Sequence, residues 1–281
     1  MSICQTMNIK PQLENTSFRC FVKEKLSQCP RLFKLVKRIL DFFRSLFQST
    51  TQKNSILFRK HLYQISNQKT QLKFVKVGAN DGLTGDPCSQ HFLDNAAWEG
   101  YFIEPVPYLY QNLCNNFSGD PRFHFCNLAI SNESGYISFY YFDPLLAVKY
   151  PEVAEWYHQL GSFSRDHIIK NSDSRFESYI LERKVRTSTL DDFFEEKKIT
   201  SIDFLQIDVE GHDFKVLQSM SLDRIKPLSI LIEHKHIENK SKRQMVKLLK
   251  KNGYRLFDCG CDFFCLNKKA FRSLKKQKSF F

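Results

Sequence analysis

Two short runs concentrate the groups able to move protons or hold a cation: Asp208–Val209–Glu210–Gly211–His212 and Glu233–His234–Lys235–His236. Each follows an apolar, β-branched segment, Ile202–Ile207 and Leu228–Ile232, so each is expected at the tip of a buried strand. Carboxylates and imidazoles gathered at one sheet edge can hold a hydroxyl in line for attack, take its proton, or bind a divalent metal. Asp208, Glu210, His212 and His234 are the candidate acid–base residues, and Asp208, Glu210 and Glu233 the candidate Mg²⁺ ligands. The competing assignments are structural: Asp208 as a helix cap, Glu233 and His236 as solvated turn residues.

A third run, Leu72–Val77 followed by Gly78–Ala79–Asn80–Asp81–Gly82, is a strand stopping at a glycine-rich turn. Such a turn opens the ligand crevice of an α/β sheet, because glycine lets backbone approach a ligand and adopt angles closed to other residues. About twenty residues on, Tyr101–Phe102–Ile103 ends in Glu104, placed to accept hydrogen bonds from ribose hydroxyls. Strand, glycine turn, helix, strand and acid together predict a nucleoside-containing cofactor.

The elements that must position these residues read as an alternating α/β chain. Helices are expected at 56–65, 90–97, 107–117, 190–197, 214–220 and 242–252. Strands are expected at 72–77, 100–104, 123–130, 136–142, 185–189, 202–207 and 228–232, with a closing antiparallel pair at 254–259 and 262–266. Residues 143–184 interrupt the rhythm and read as short helices and loops inserted over the ligand edge, on the substrate side. Their Trp156, Tyr157 and Phe163 either stack on a substrate or form that segment's own core. The organisation expected is a basic helical extension at 1–54, a catalytic domain at 55–268 and a basic tail at 269–281.

The net charge of +12 is unevenly placed. Residues 1–72 carry 13 Lys and Arg against 3 acids, and residues 268–281 carry 6 against none, while 73–267 is net −4. An acidic middle makes a nucleic-acid channel unlikely. The basic ends suit an anionic partner. Within 31–48 the positions Leu32, Leu35, Val36, Ile39, Phe43, Leu46 and Phe47 form one helix face opposite Arg and Lys, which either packs on protein or lies at a membrane surface. Nine cysteines, with no secretory signal and no apolar run of spanning length, predict free thiols and a cytoplasmic protein, with peripheral membrane contact through 31–48 as an added option. Cys259, Cys261 and Cys265 lack a second ligand pair and read as hairpin core rather than a zinc site. The oligomeric state is not legible.

Six ordered blocks, Val77–Gly82, Ile103–Glu104–Pro105, Asn127–Ser131, Thr189–Asp192, Ile202–His212 and Ile232–Glu233–His234, give the chain from about 70 to 267 a pattern that resembles the FkbM family of S-adenosylmethionine-dependent methyltransferases. The resemblance implies a class I methyltransferase (Rossmann-like) α/β fold, a seven-stranded mostly parallel sheet whose last strand is antiparallel. It implies that Gly78, Asn80 and Gly82 approach the methionine and ribose of the cofactor, with Asp81 and Asp208 in the same contact set. Glu104 would take the ribose hydroxyls, and Asn127 and Leu128 would lie near the adenine. It further implies O-methylation of a sugar, glycan or similar small-molecule hydroxyl. Lys76 departs from the pattern, standing where many relatives carry an acid. The rivals are a nicotinamide oxidoreductase, which the Gly-Ala-Asn-Asp-Gly spacing disfavours, and a catalytically silent scaffold docking on membranes or polyanions through its basic ends.

Overall fold

The computed structural model describes residues 49–276, apart from Ser118 and Glu155. The amphipathic stretch 31–48, the cysteines at 4, 20 and 29 and the end of the basic tail lie outside the described residues.

The helix expected at 56–65 begins earlier and runs further, as α1 (Thr50–Gln68). Phe58, His61, Leu62 and Ile65, at three- and four-residue spacing, form its buried face. Phe58 stacks on Phe204 and meets Phe264 edge-on, at centroid distances of 6.1 and 5.2 Å. The order then runs β1 (Leu72–Val77), α2 (Ser89–Asp94), β2 (Trp98–Ile103), α3 (Pro107–Asn116), β3 (Phe123–Cys126), β4 (Ala129–Ile130) and β5 (Gly135–Phe142). After an insertion holding α4 (Leu145–Lys149) and α5 (Arg165–Lys170) come β6 (Ile180–Ser188), α6 (Leu190–Glu196), β7 (Phe204–Ile207), α7 (Asp213–Gln218) and β8 (Ser229–Glu233). The chain closes with α8 (Asn239–Lys251), β9 (Tyr254–Asp258), β10 (Asp262–Asn267) and α9 (Lys268–Lys276). Ala270 and Phe271 of α9 pack on the core, so the basic tail begins as a docked helix.

The main sheet has seven strands in the order β3-β2-β1-β7-β8-β10-β9. Every neighbouring pair from β3 to β8 is parallel, and β10 runs antiparallel to both β8 and β9. Side chains alternate across it: Leu72 and Phe74 of β1 join one buried cluster, Val75 and Val77 the other. One face is an aromatic layer of Phe74, Phe92, Trp98, Phe102, Phe204 and Phe264, each essentially free of solvent. Burying each such ring contributes about 1.5–3 kcal/mol. The other face is covered by α6, α7 and α8 through Phe193, Phe194, Leu217, Met245 and Leu249.

Two strand expectations need correction. The run 123–130 is not one strand: it breaks after Cys126, where Asn127 turns its side-chain amide back to the Glu104 and Pro105 carbonyls. Beyond the break, β4 leaves the main sheet. The segment around 185–189 also lies outside that sheet. It belongs to β6, which pairs antiparallel with β5 and parallel with β4 in a separate three-stranded sheet. The intervening segment has its own core of Phe142, Leu146, Val153, Leu160, Ile168 and Phe176. The Thr189–Asp192 block is a helix start, with the Thr189 side chain accepting from Asp192 N at 3.0 Å. The pair β9–β10 is the expected hairpin, turning at Gly260, with Cys265 buried and Cys261 exposed.

Candidate functional site

The sheet order reverses direction between β1 and β7, so the carboxyl ends of these strands part and leave a crevice. A cleft of about 920 Å³, open mouth included, occupies it. Its wall runs from Gly78, Asn80 and Glu104 past Leu109, Leu128 and Ile130 to Asp208 and Glu210. The insertion supplies the facing wall with His158, Gln159, Gly161 and Phe163. Of the three aromatics singled out in the insertion, only Phe163 reaches the cleft; Trp156 and Tyr157 pack against the segment's own core.

The glycine turn is held from several sides. Gly78 has φ of +78°, and a Cβ there would fall 1.8 Å from the Asp208 carbonyl oxygen. Glycine at this position lets the β1 and β7 tips touch. Gly78 N and Ala79 N donate to Ile103 O at 3.1 and 3.0 Å. Asn80 takes a left-handed backbone, which asparagine tolerates, and its N–H donates to Glu104 Oε2 at 2.8 Å. Val106 N donates to Glu104 Oε1 at 2.9 Å. Glu104 is buried, and burial pushes its carboxyl up to about 7 against these two hydrogen bonds.

Three of the residues expected to contact the cofactor do not line the cleft. Asp81 accepts from Leu83 N, Thr84 N and Thr84 Oγ1 at 2.9, 2.8 and 2.6 Å, closing the loop on itself. Gly82 sits so tightly on α3 that a Cβ would come within 2.6 Å of Phe117 and Leu113. Asn127 spends its amide on the β2–α3 connection. Leu128 does line the cleft.

At the cleft floor, Lys76 meets Asp86 at 2.7 Å, with both side chains under 5% exposed. Burial raises the Asp86 carboxyl, but the Lys76 ammonium overcomes it and the net direction is down. The Gln206 amide donates to Asp86 at 3.3 Å and leaves its own buried oxygen without a partner. The lysine on β1 is thus neutralised by an acid brought from the following loop.

The β7 and β8 tips are different in character. Asp213, fully buried at the start of α7, accepts from Val209 N and Gly211 N, both at 3.0 Å, and so fixes Glu210 in a left-handed conformation. Asp208, open to cleft water but hemmed in by protein, is raised by desolvation and by Asp86, against Lys76. Burial and then Asp208 push Glu210 to about 7 and Asp213 to about 8. Glu233 rises to about 10 through burial and the surrounding acids, Asp208 first among them. His236 Nε2 lies 3.3 Å from Glu210 Oε2 and 3.8 Å from Glu233 Oε1. Burial and then Lys235 hold the His236 imidazole below its ordinary pKa, so this is a neutral ring beside carboxyl groups rather than an ion pair.

His212 stands next to the cleft, hydrogen bonded to Ser131 Oγ at 3.1 Å and packed on Phe163, and burial lowers it to about 4. His234 turns the other way. Its Nδ1 receives the Lys242 ammonium at 2.8 Å, its ring lies 3.9 Å from Phe263, and it does not line the cleft. Asp208, Glu210 and Glu233 come together, whereas His234 is replaced in that group by His236. His167, from α5 of the insertion, also joins it: its ring centroid is 5.9 Å from that of His236. Nothing in the sequence around His167 marks it, and the Lys76–Asp86 pair and Asp213 were likewise missed. The only available signals were a lysine in an apolar strand and an acid immediately after Gly211–His212.

A family model described as the methyltransferase FkbM domain matches residues 76–256. No curated protein matches the chain. Among solved structures, the methyltransferase FkbM from Methylobacillus flagellatus KT is 13% identical over 70% of this chain and 44% of its own, with a TM-score of 0.43. A precorrin-6y C5,15-methyltransferase from Geobacter metallireducens GS-15 is 10% identical over 76% of this chain and 86% of its own, with a TM-score of 0.37. The chain therefore spans less than half the length of the first of these.

Proposed function

The chain belongs to the FkbM methyltransferase family, and we propose that it transfers the methyl group of S-adenosylmethionine to a hydroxyl oxygen of a sugar, glycan or similar small molecule. The observation that carries this reading is one continuous cleft with Glu104 at one side and Asp208 and Glu210 at the other. The sheet order with its reversed β10 supports a class I methyltransferase (Rossmann-like) fold.

The residues present fit the cofactor. Glu104 would accept from the ribose hydroxyls while keeping its two backbone donors, since each carboxylate oxygen has room for more than one hydrogen bond. Leu109 and Leu128 offer an apolar wall for the adenine. Lys76, Asp86 and the unpartnered Gln206 oxygen offer a cation, an anion and an acceptor to the carboxylate and ammonium of the methionine. When bound, the cofactor supplies an electrophilic methyl on a positively charged sulfur.

The chain's own part is to orient the acceptor and take its proton. Orientation is worth about 7–11 kcal/mol in favourable cases. Asp208 lines the cleft, faces water and has its proton affinity raised, so it is assigned as the base. Phe163 lines the cleft as well, with His212 packed against it. Calorimetry with S-adenosylmethionine, followed by a mass-spectrometric screen of glycan and small-molecule acceptors for a one-methyl gain, tests the reading. Asp208→Asn is expected to lower turnover by about 100-fold or more with cofactor affinity little changed. Full turnover in that variant would remove Asp208 as base, and failure of the wild type to bind the cofactor would remove the reading itself.

A further inference from the structure

Glu210 belongs to two overlapping groups. In one, its carboxylate and a ring nitrogen each from His167 and His236 all lie within 4.8 Å of one another. In the other, carboxylate oxygens of Asp208, Glu210 and Glu233 do the same. Ligands on opposite sides of an ion bound at about 2.1 Å stand roughly 4 Å apart, so small side-chain rotations would close either group around a cation. Acid crowding alone would not indicate a ligand. Here, however, Glu233 is 94% buried and its Oε2 has no hydrogen-bond partner, His167 Nε2 is buried without one, and the buried Glu210 Oε2 has only the His236 ring nitrogen beside it, at 3.3 Å, without forming a hydrogen bond. Buried polar atoms left unpaired cost about 1–3 kcal/mol each, and here they belong to residues of both groups, which share Glu210. Held by Asp213 in its left-handed conformation, Glu210 is kept pointing into this group.

We infer that His167, Glu210, Glu233 and His236 form a binding site for one divalent first-row cation of the manganese–zinc class, with Asp208 beside it on the cleft side. Two imidazoles favour such an ion over Mg²⁺, which prefers all-oxygen shells. Asp208 and Glu210 both line the cleft, so the ion is reached from it. On the methyl-transfer reading, on which this role rests, the ion would hold the acceptor hydroxyl and lower its pKa while Asp208 receives the proton. The insertion then contributes more than a wall. Its α5 delivers His167, which makes metal binding depend on the insertion being seated.

The test uses the full chain stripped with a chelator and titrated with Mn²⁺, followed by electron paramagnetic resonance and calorimetry, with Zn²⁺ as competitor. One Mn²⁺ per chain, displaced by Zn²⁺, is expected. Glu210→Gln and His236→Ala should each weaken binding by about 100-fold, and His167→Ala by roughly 10-fold, the range over which metal-site residues act. Thermal melts accompany each variant; should either of the first two fail to fold, His167→Ala, on the half-buried insertion helix, decides. No uptake of either ion by the wild type, or undiminished uptake by His167→Ala, overturns the site. Calorimetry with S-adenosylmethionine on the same stripped samples separates the two readings. Cofactor binding without metal uptake sinks the metal site alone, and metal uptake without cofactor binding leaves the site standing while the methyl-transfer role fails.

Discussion

The two sides of the cleft handle buried acids in opposite ways. On the β1–β2 side Glu104 accepts two backbone N–H groups, Asp81 accepts three donors and Asp86 faces Lys76. On the β7–β8 side Asp208, Glu210 and Glu233 gather with neutral imidazoles, and oxygens of Glu210 and Glu233 have no hydrogen-bond partner. Satisfied carboxylates fix geometry, whereas unsatisfied ones raise one another's proton affinity and wait for a proton or a cation. On the proposed methyl-transfer reading, the first side is a preformed cradle and the second is where the chemistry takes place.

Removing a carboxyl should therefore destabilise the first side and leave the second standing. The largest effect is expected for Lys76→Met or Asp86→Asn, each of which strands a buried partner at a cost of about 3–5 kcal/mol. Thermal denaturation should register a fall of about 10 °C for a domain of this size; an unchanged midpoint would mean that the cradle does not rest on this pair. Next, Gly78→Ala should cost about 3 kcal/mol by forcing β1 from β7 and should abolish measurable cofactor binding. Gly85→Ala, where an added Cβ meets nothing, carries only the backbone penalty of about 1–2 kcal/mol. Equal melts for the two alanine variants would show that close approach at Gly78 is unimportant.

The acid cluster also predicts a pH dependence. Glu104 and Glu210 are raised to about 7 and Asp213 to about 8, so from about pH 6.5 to 8 these acids make the folded chain bind more protons than the unfolded one, whereas below that the lowered histidines, His61 and His212 at about 4, act in the opposite direction. The stabilisation these groups give is full below their unfolded pKa values and is lost as pH rises through the folded ones. The metal-free protein should melt lower at pH 8 than at pH 6.5, above the range where histidines titrate in the unfolded chain, by about 5 °C; a rise over that interval would contradict the assignment. Smaller effects separate the sides further. Glu104→Gln should weaken cofactor binding about 10-fold, equivalent to about 1.4 kcal/mol, with turnover at saturation less affected. Glu233→Gln should instead leave the metal-free chain's stability unchanged, because burial and the neighbouring acids raise that carboxyl to about 10 and so already hold it neutral. A lower melting midpoint for that variant would remove the contrast between the two sides.

How much could be read in advance follows the same division. The glycine turn, Glu104 and the main-sheet strands are local signals: period-two apolar runs that stop at glycine, asparagine or an acid say where a strand ends. The hairpin after α8 was legible for that reason, and with it the reversal of β10. The break after Cys126 was not, because what ends β3 is the Asn127 amide reaching carbonyls more than twenty residues earlier in the chain.

By itself, then, the sequence determined that a crevice opens at the ends of β1 and β2 and that acids stand at the ends of β7 and β8. Only the tertiary structure decided which of those side chains meet. His234 and His236 are two residues apart in the turn after β8, yet one packs toward Lys242 and Phe263 and the other toward Glu210. Strand alternation no longer applies past Glu233, so direction there is set by packing partners distant in the chain. The same holds for Lys76, which finds Asp86, and for His167, which the insertion carries to His236. Residue type and local spacing fix where a chain turns, but the meeting of groups from separate elements depends on long-range packing that no local pattern encodes.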